Sequence, residues 1–152
     1  MATNEVLTFN AAHAPKENAI EAFKILLPTL KAEIVKSRHH WAAHEPRMWE
    51  RAQALSDHEL VAFTIEDDLV EVRSAPTSYG TIILGKIRLP KVNDAEGEGF
   101  VHVRIHDPPN HGSEDVTFHS LFTEEIRPDP ESPPTGFRAI QTSDKPLQFF
   151  NE

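Results

Sequence analysis

Cysteine is missing altogether from this chain, which excludes disulfides and thiolate chemistry and suits a reducing compartment. Basic residues are in the minority: 15 Lys and Arg face 24 Asp and Glu, for a formal net charge of -9, and no cluster of cations stands out. Nucleic acid and anionic membranes both require a basic footprint, so neither is expected as a partner. Long apolar runs are absent too. Nothing approaches the roughly 18 residues of a membrane span, and Met1 to Phe9 lacks the basic stretch and the apolar run of about 7–15 residues that mark a secretory signal. A cytoplasmic protein is the expectation. Gly97 and Gly99 precede no helical pattern and so form no phosphate-binding fingerprint. Ser120 lies in no nucleophile-elbow sequence, which disfavours nucleophilic catalysis. No internal repeat is visible, and no cofactor is expected.

What is present reads as a globular composition, with 39% apolar and 26% charged residues and nine phenylalanines spread along 152 positions. That length fits one domain, residues 1–152, in which 1–14 form an arm with few apolar anchors. From Lys16 onward Ile20, Phe23, Leu27, Leu30 and Ile34 recur at spacings of three and four, the stripe of an amphipathic helix. Pro28 should kink or restart it near Leu27. Pro46 is placed to open a second short helix, Arg47 to Leu55, with Trp41, Met48 and Trp49 as core contacts.

After Ser56-Asp57 the period changes to two. Leu60 to Glu66 reads as a strand, Glu66-Asp67-Asp68 as a hairpin turn, and Leu69 to Ser74 as the return with Val70 and Val72 inward. Thr81 to Leu89, apolar on both faces, should be a central strand. The organising stretch is Gly99 to His106, where Val101, Val103 and Ile105 alternate with His102, Arg104 and His106 on opposite faces. Val116 to Ile126 returns, a proline-rich loop follows, and Phe137 to Thr142 closes as an edge strand. Leu147, Phe149 and Phe150 should pin the final segment to the body.

Helices followed by about six strands, with turns too short for crossovers, define an α+β domain: N-terminal helices packed on a curved, antiparallel meander sheet, cone-like or a partly open barrel. In architecture alone this would resemble the cone-shaped fold of nuclear transport factor-like proteins and small polyketide cyclases. No family motif accompanies the likeness.

His119, on the strand after His106, should fall within cross-strand reach of the His102/Arg104/His106 row. Such a group offers bases that titrate near neutrality and a guanidinium for a developing oxyanion. His102, Arg104, His106 and His119 are therefore the candidate catalytic residues. The reading that follows is a small-ligand-binding domain, able to serve as a cofactor-free isomerase, dehydratase or cyclase on a small organic molecule. Its rival is a non-catalytic interaction module presenting a solvated polar sheet face to a protein partner, since antiparallel sheets commonly alternate in this way regardless of function. A second constellation, His40 and His44 with Glu45, has helical spacing that zinc sites use, but it supplies two ligands and does not match His-Glu-x-x-His. No metal is expected there, nor calcium at the acidic turns 66–68 and 94–98, which lack the regular alternation of an EF-hand loop.

Overall fold

The computed structural model describes residues 9–41, 46–78, 80–95, 97–108 and 116–150. The amphipathic stripe forms two helices, α1 (Glu17–Ile25) and α2 (Leu27–Trp41). The break falls at Leu26, so Pro28 sits in the first turn of α2, where a proline's missing N–H has no helical partner to lose. Ala19, Ala22, Phe23, Leu26, Leu30 and Ile34 are buried along one side. A 3-10 helical stretch, Pro46–Ala52, kinked at Trp49, follows and buries Met48 and Trp49. Arg38 of α2 ties it down by donating to the carbonyls of Ala52 (3.2 Å) and Leu55 (2.7 Å) and by pairing with Asp57.

The strand expected over Leu60 to Glu66 does not form. In its place are two single-turn helices, α3 (Asp57–Leu60) and α4 (Ile65–Asp68). The cause is local side-chain bonding to the backbone, which competes with strand pairing. Ser56 Oγ accepts from Glu59 N at 3.2 Å while Glu59 Oε1 accepts from Ser56 N at 2.9 Å, a complete capping box. Thr64 Oγ1 caps α4 through Asp67 N at 3.3 Å. Glu66, Asp67 and Asp68 are thus helix rather than hairpin turn, and Asp68 is buried against Arg88, its Oδ1 accepting from Nε at 2.8 Å. Ser56→Ala should lower unfolding free energy by about 1 kcal/mol, the usual cost of losing such a cap; urea denaturation showing no change would remove the box from the list of stabilising contacts.

Four strands build the main sheet in the order β1 (Leu69–Thr77), β2 (Gly80–Asp94), β3 (Gly97–Asp107) and β4 (Thr117–Leu121), all antiparallel. A register shift between Leu69 and Glu71 leaves Val70 40% exposed, whereas Val72 is buried as expected. Residues of the arm that are described lie along the outer edge of β1, with Asn10 N donating to Ser74 O and a two-way bridge between His13 and Val72. The six strands do not form one sheet: β5 (Glu124–Ile126) and β6 (Gly136–Arg138) pair separately. The stretch Val116 to Ile126 divides at Phe122, which turns onto the sheet face to pack against Phe150 with ring centroids 5.2 Å apart. The edge strand expected over Phe137 to Thr142 shortens to β6 and a single bridge from Gln141 to Phe100.

The helices cover one face of the main sheet, where Val72, Ile83, Ile87, Val101, Val103 and Ile105 join the main core. Gly85 of β2 lies in this layer, opposite Val72 and Val103. A Cβ there would stand 2.4 Å from Phe23 Cζ and 2.8 Å from Cε1, so the Phe23 ring fills the space a side chain would take.

Candidate functional site

Strand β3 is buried on both sides from Gly99 to Ile105. Its alternation places Val101, Val103 and Ile105 in the main core and His102, Arg104 and His106 on the other face, as the period of two predicts. That second face is covered rather than solvated. Residues 142–150 run across it, seating Leu147 and Phe150 in a small apolar cluster with Ile82 and Leu84. His102 is 1% exposed and Arg104 8%, while His106 is half-buried.

The register sets the neighbours. Arg73, Leu84, Arg104 and Ser120 form one row across the four strands, and Glu71, Lys86 and His102 the next. Between the pairs Arg104–Ser120 and Ile105–Phe118, His119 is an extra residue in β4, a bulge of the kind that re-aims a side chain. It brings His119 to Arg104, whose Nε donates to Nδ1 at 3.1 Å. Because the guanidinium can only donate, Nδ1 must accept, which puts the proton of a neutral His119 on Nε2. His106 stacks on His119 at 5.8 Å with ring planes 3° apart. All four residues singled out in the sequence therefore share one face, and His119 touches both Arg104 and His106.

His102 stands slightly apart, stacked on Phe122 at 5.8 Å. Burial, and then the nearby Lys86 and Lys145 cations, push its pKa down to about 3, so the ring is neutral at physiological pH. Its Nε2 and the Ser120 Oγ are buried without a hydrogen-bond partner among the described residues. Each such group forgoes about 1–3 kcal/mol.

Three further cations, not assigned to the site from sequence, complete the face or its cover. Lys86 Nζ donates to the carbonyls of Ser143 (2.7 Å) and Lys145 (2.9 Å), Arg73 Nη1 to Leu147 O (2.9 Å), and Lys145 Nζ lies 5.6 Å from the Phe122 ring centre. Arg104 Nη1 donates to Phe150 O at 2.7 Å, and its guanidinium lies over Phe149 at 5.2 Å. Desolvation lowers the Lys86 pKa, opposed by Glu71 and Asp144. A lysine flanked by Leu84, Gly85 and Ile87 within the mostly apolar stretch Ile82 to Leu89 is the signal in the sequence, because a buried ammonium needs acceptors brought from elsewhere.

On the opposite, helical side an open groove of about 340 Å³ runs between α2 and β4, lined in part by Glu33, Lys36, His40, Trp41, Phe118 and Leu121. Trp41 thus borders this groove while packing on Phe137 at 5.8 Å. Of the helical histidines, His39 pairs with Asp57 at 2.8 Å and His40 meets the Trp41 edge at 5.6 Å, while His44 and Glu45 lie outside the described residues. Among the described residues no three His, Asp or Glu are grouped to hold a metal ion, and no helix is long and apolar enough to cross a membrane.

Fold and site together define an α+β domain with a polar cluster between an antiparallel sheet and the segment of residues 142–150 that crosses it. Comparison with protein-family models, curated proteins and solved structures gave no match.

Proposed function

We propose that the chain is a ligand-binding domain whose site is the second sheet face, with Arg104 as the anchor for a carbonyl- or carboxylate-bearing organic ligand and His106 and His119 beside it. The observation that carries this reading is the 2.7 Å bond from Arg104 Nη1 to a carbonyl oxygen, that of Phe150. The guanidinium is already oriented by His119 for an acceptor at that point, and preorganised donors are what anionic or carbonyl recognition requires. If the domain turns over its ligand as a cofactor-free isomerase, dehydratase or cyclase, the proton carriers are His106 and His119. His102, with a pKa near 3, is too weak a base for that work. A cytoplasmic setting belongs to the same proposal.

A thermal-shift screen of small carboxylates and ketones tests it. A hit should bind Arg104→Ala more weakly by about 1.5–3 kcal/mol, the scale of one charge-assisted hydrogen bond, with circular dichroism showing the fold retained. Equal affinity of a confirmed ligand for both proteins would sink the assignment. The rival reading, an interaction module, gains from a specific observation: the occupant of this face is a stretch of polypeptide.

A further inference from the structure

We infer that the second sheet face is a receptor for a peptide segment from another protein, and that residues 142–150 are a displaceable mimic of that ligand. The inference rests on the reading of this face as a binding site and narrows its ligand to a peptide.

The contacts are those of peptide recognition. Side chains from three successive strands, Arg73 of β1, Lys86 of β2 and Arg104 of β3, donate to the main-chain carbonyls of Ser143, Lys145, Leu147 and Phe150. Main-chain carbonyls are common to every sequence, so these donors recognise a peptide main chain and not this particular sequence. Selectivity comes from Leu147 and Phe150, three residues apart, which occupy the apolar cluster of Ile82, Leu84 and Phe122. A partner segment would carry an apolar residue and an aromatic one at that spacing. Basic side chains between them would be disfavoured, because Arg73, Lys86 and Arg104 already crowd the face with positive charge.

The resident segment is held in a way that allows it to leave. Residues 143–150 belong to no strand, so lifting them breaks no ladder. The last bridge to the sheet is Gln141 with Phe100, after which a turn at Thr142 to Lys145 and then Pro146 begin the segment. The fit is also incomplete. Phe149 is 45% exposed, and on the same sheet face His102 Nε2 and Ser120 Oγ are buried with no partner among the described residues. A peptide bringing a polar side chain to those two atoms would satisfy what the resident segment leaves unsatisfied.

The test uses the full chain with Leu147→Ala and Phe150→Ala combined, and a fluorescein-labelled peptide with the sequence of residues 142–152 as the probe. Fluorescence polarisation should show binding to this variant at least about ten-fold tighter than to the wild type, and a loss of roughly ten-fold or more when Arg104→Gln is added. Equal binding to wild type and variant, or binding indifferent to Arg104→Gln, overturns the inference. Hydrogen exchange on the wild type gives a readout that needs no variant: saturating unlabelled peptide should speed exchange at residues 147–150 while β3 stays protected. No acceleration also counts against displacement. If the peptide fails while a small carboxylate binds through Arg104, the peptide assignment falls and the site reading stands; if neither binds the opened variant, both fall. Concentration-dependent dimers of the wild type in light scattering would make a second copy of the chain the occupant and overturn the assignment to another protein.

Discussion

Val103→Asp abolishes cooperative folding. Val103 is fully buried at the centre of β3, paired with Gly85 on one side and Leu121 on the other, with the Phe23 ring over Gly85. The cations of β3 and its neighbours cannot help, because Lys86 and Arg104 project from the opposite face. A carboxylate in this layer is unpaired, and even its protonated form would lack acceptors. The penalty of several kcal/mol is comparable with the whole stability of a domain, about 5–15 kcal/mol. Far-ultraviolet circular dichroism and a urea titration report the outcome. A cooperative transition at wild-type midpoint would show that the β3 register is wrong.

Acidification supplies the second large effect, and its sign follows from His102. An ordinary histidine in the unfolded chain protonates near pH 6.5, whereas burial and two neighbouring lysines hold His102 at about 3 in the fold. Above 6.5 both states are neutral at this residue and its contribution to stability is complete. As pH falls from there toward 3, the unfolded state takes up a proton that the folded state refuses, and stability is lost at up to about 1.4 kcal/mol per pH unit. Between pH 6.5 and 5 this amounts to roughly 2 kcal/mol. The carboxylates held low by their partners, Asp57 by His39 and Arg38 and Glu66 by Lys24, act only below their own unfolded values near 4, outside that window. Denaturant titrations of wild type and His102→Leu across the interval separate the cases: the wild type should show the slope and the leucine variant should have lost this component. Parallel slopes would mean that His102 is protonated in the folded protein.

Much of β3 and its surroundings could be read from the chain because alternation is a local signal. Val101, Val103 and Ile105 needed no tertiary knowledge to be assigned inward, and chain-order pairing was enough to bring His119 near Arg104. What covers the other face is not local. The sequence around His102 is compatible with water, a cavity or another segment, and the choice is made by Leu147 and Phe150, far along the chain. Those residues did announce a docked segment, but not its landing place. The failure at Leu60 to Glu66 has a different origin: Val61, Phe63 and Ile65 alternate as a strand would, yet the Ser56/Glu59 and Thr64/Asp67 pairs satisfy backbone groups within a few residues, and short helices result. The division of the last long strand followed from Phe122, whose apolar ring is drawn to Phe150 and His102, a destination that spacing cannot reveal.

The contact between Phe23 and Gly85 reaches beyond stability into how this sequence can diverge. With a ring carbon 2.4 Å from where a methyl group would begin, even alanine at position 85 demands that the helix or the ring withdraw, in an interior packed about as densely as a crystal. Enlarging 85 and shrinking 23 are each unfavourable alone, the first by overlap and the second by leaving a void. The two positions are therefore coupled, and a larger residue at 85 fits only where the residue at 23 is smaller or its ring moves aside.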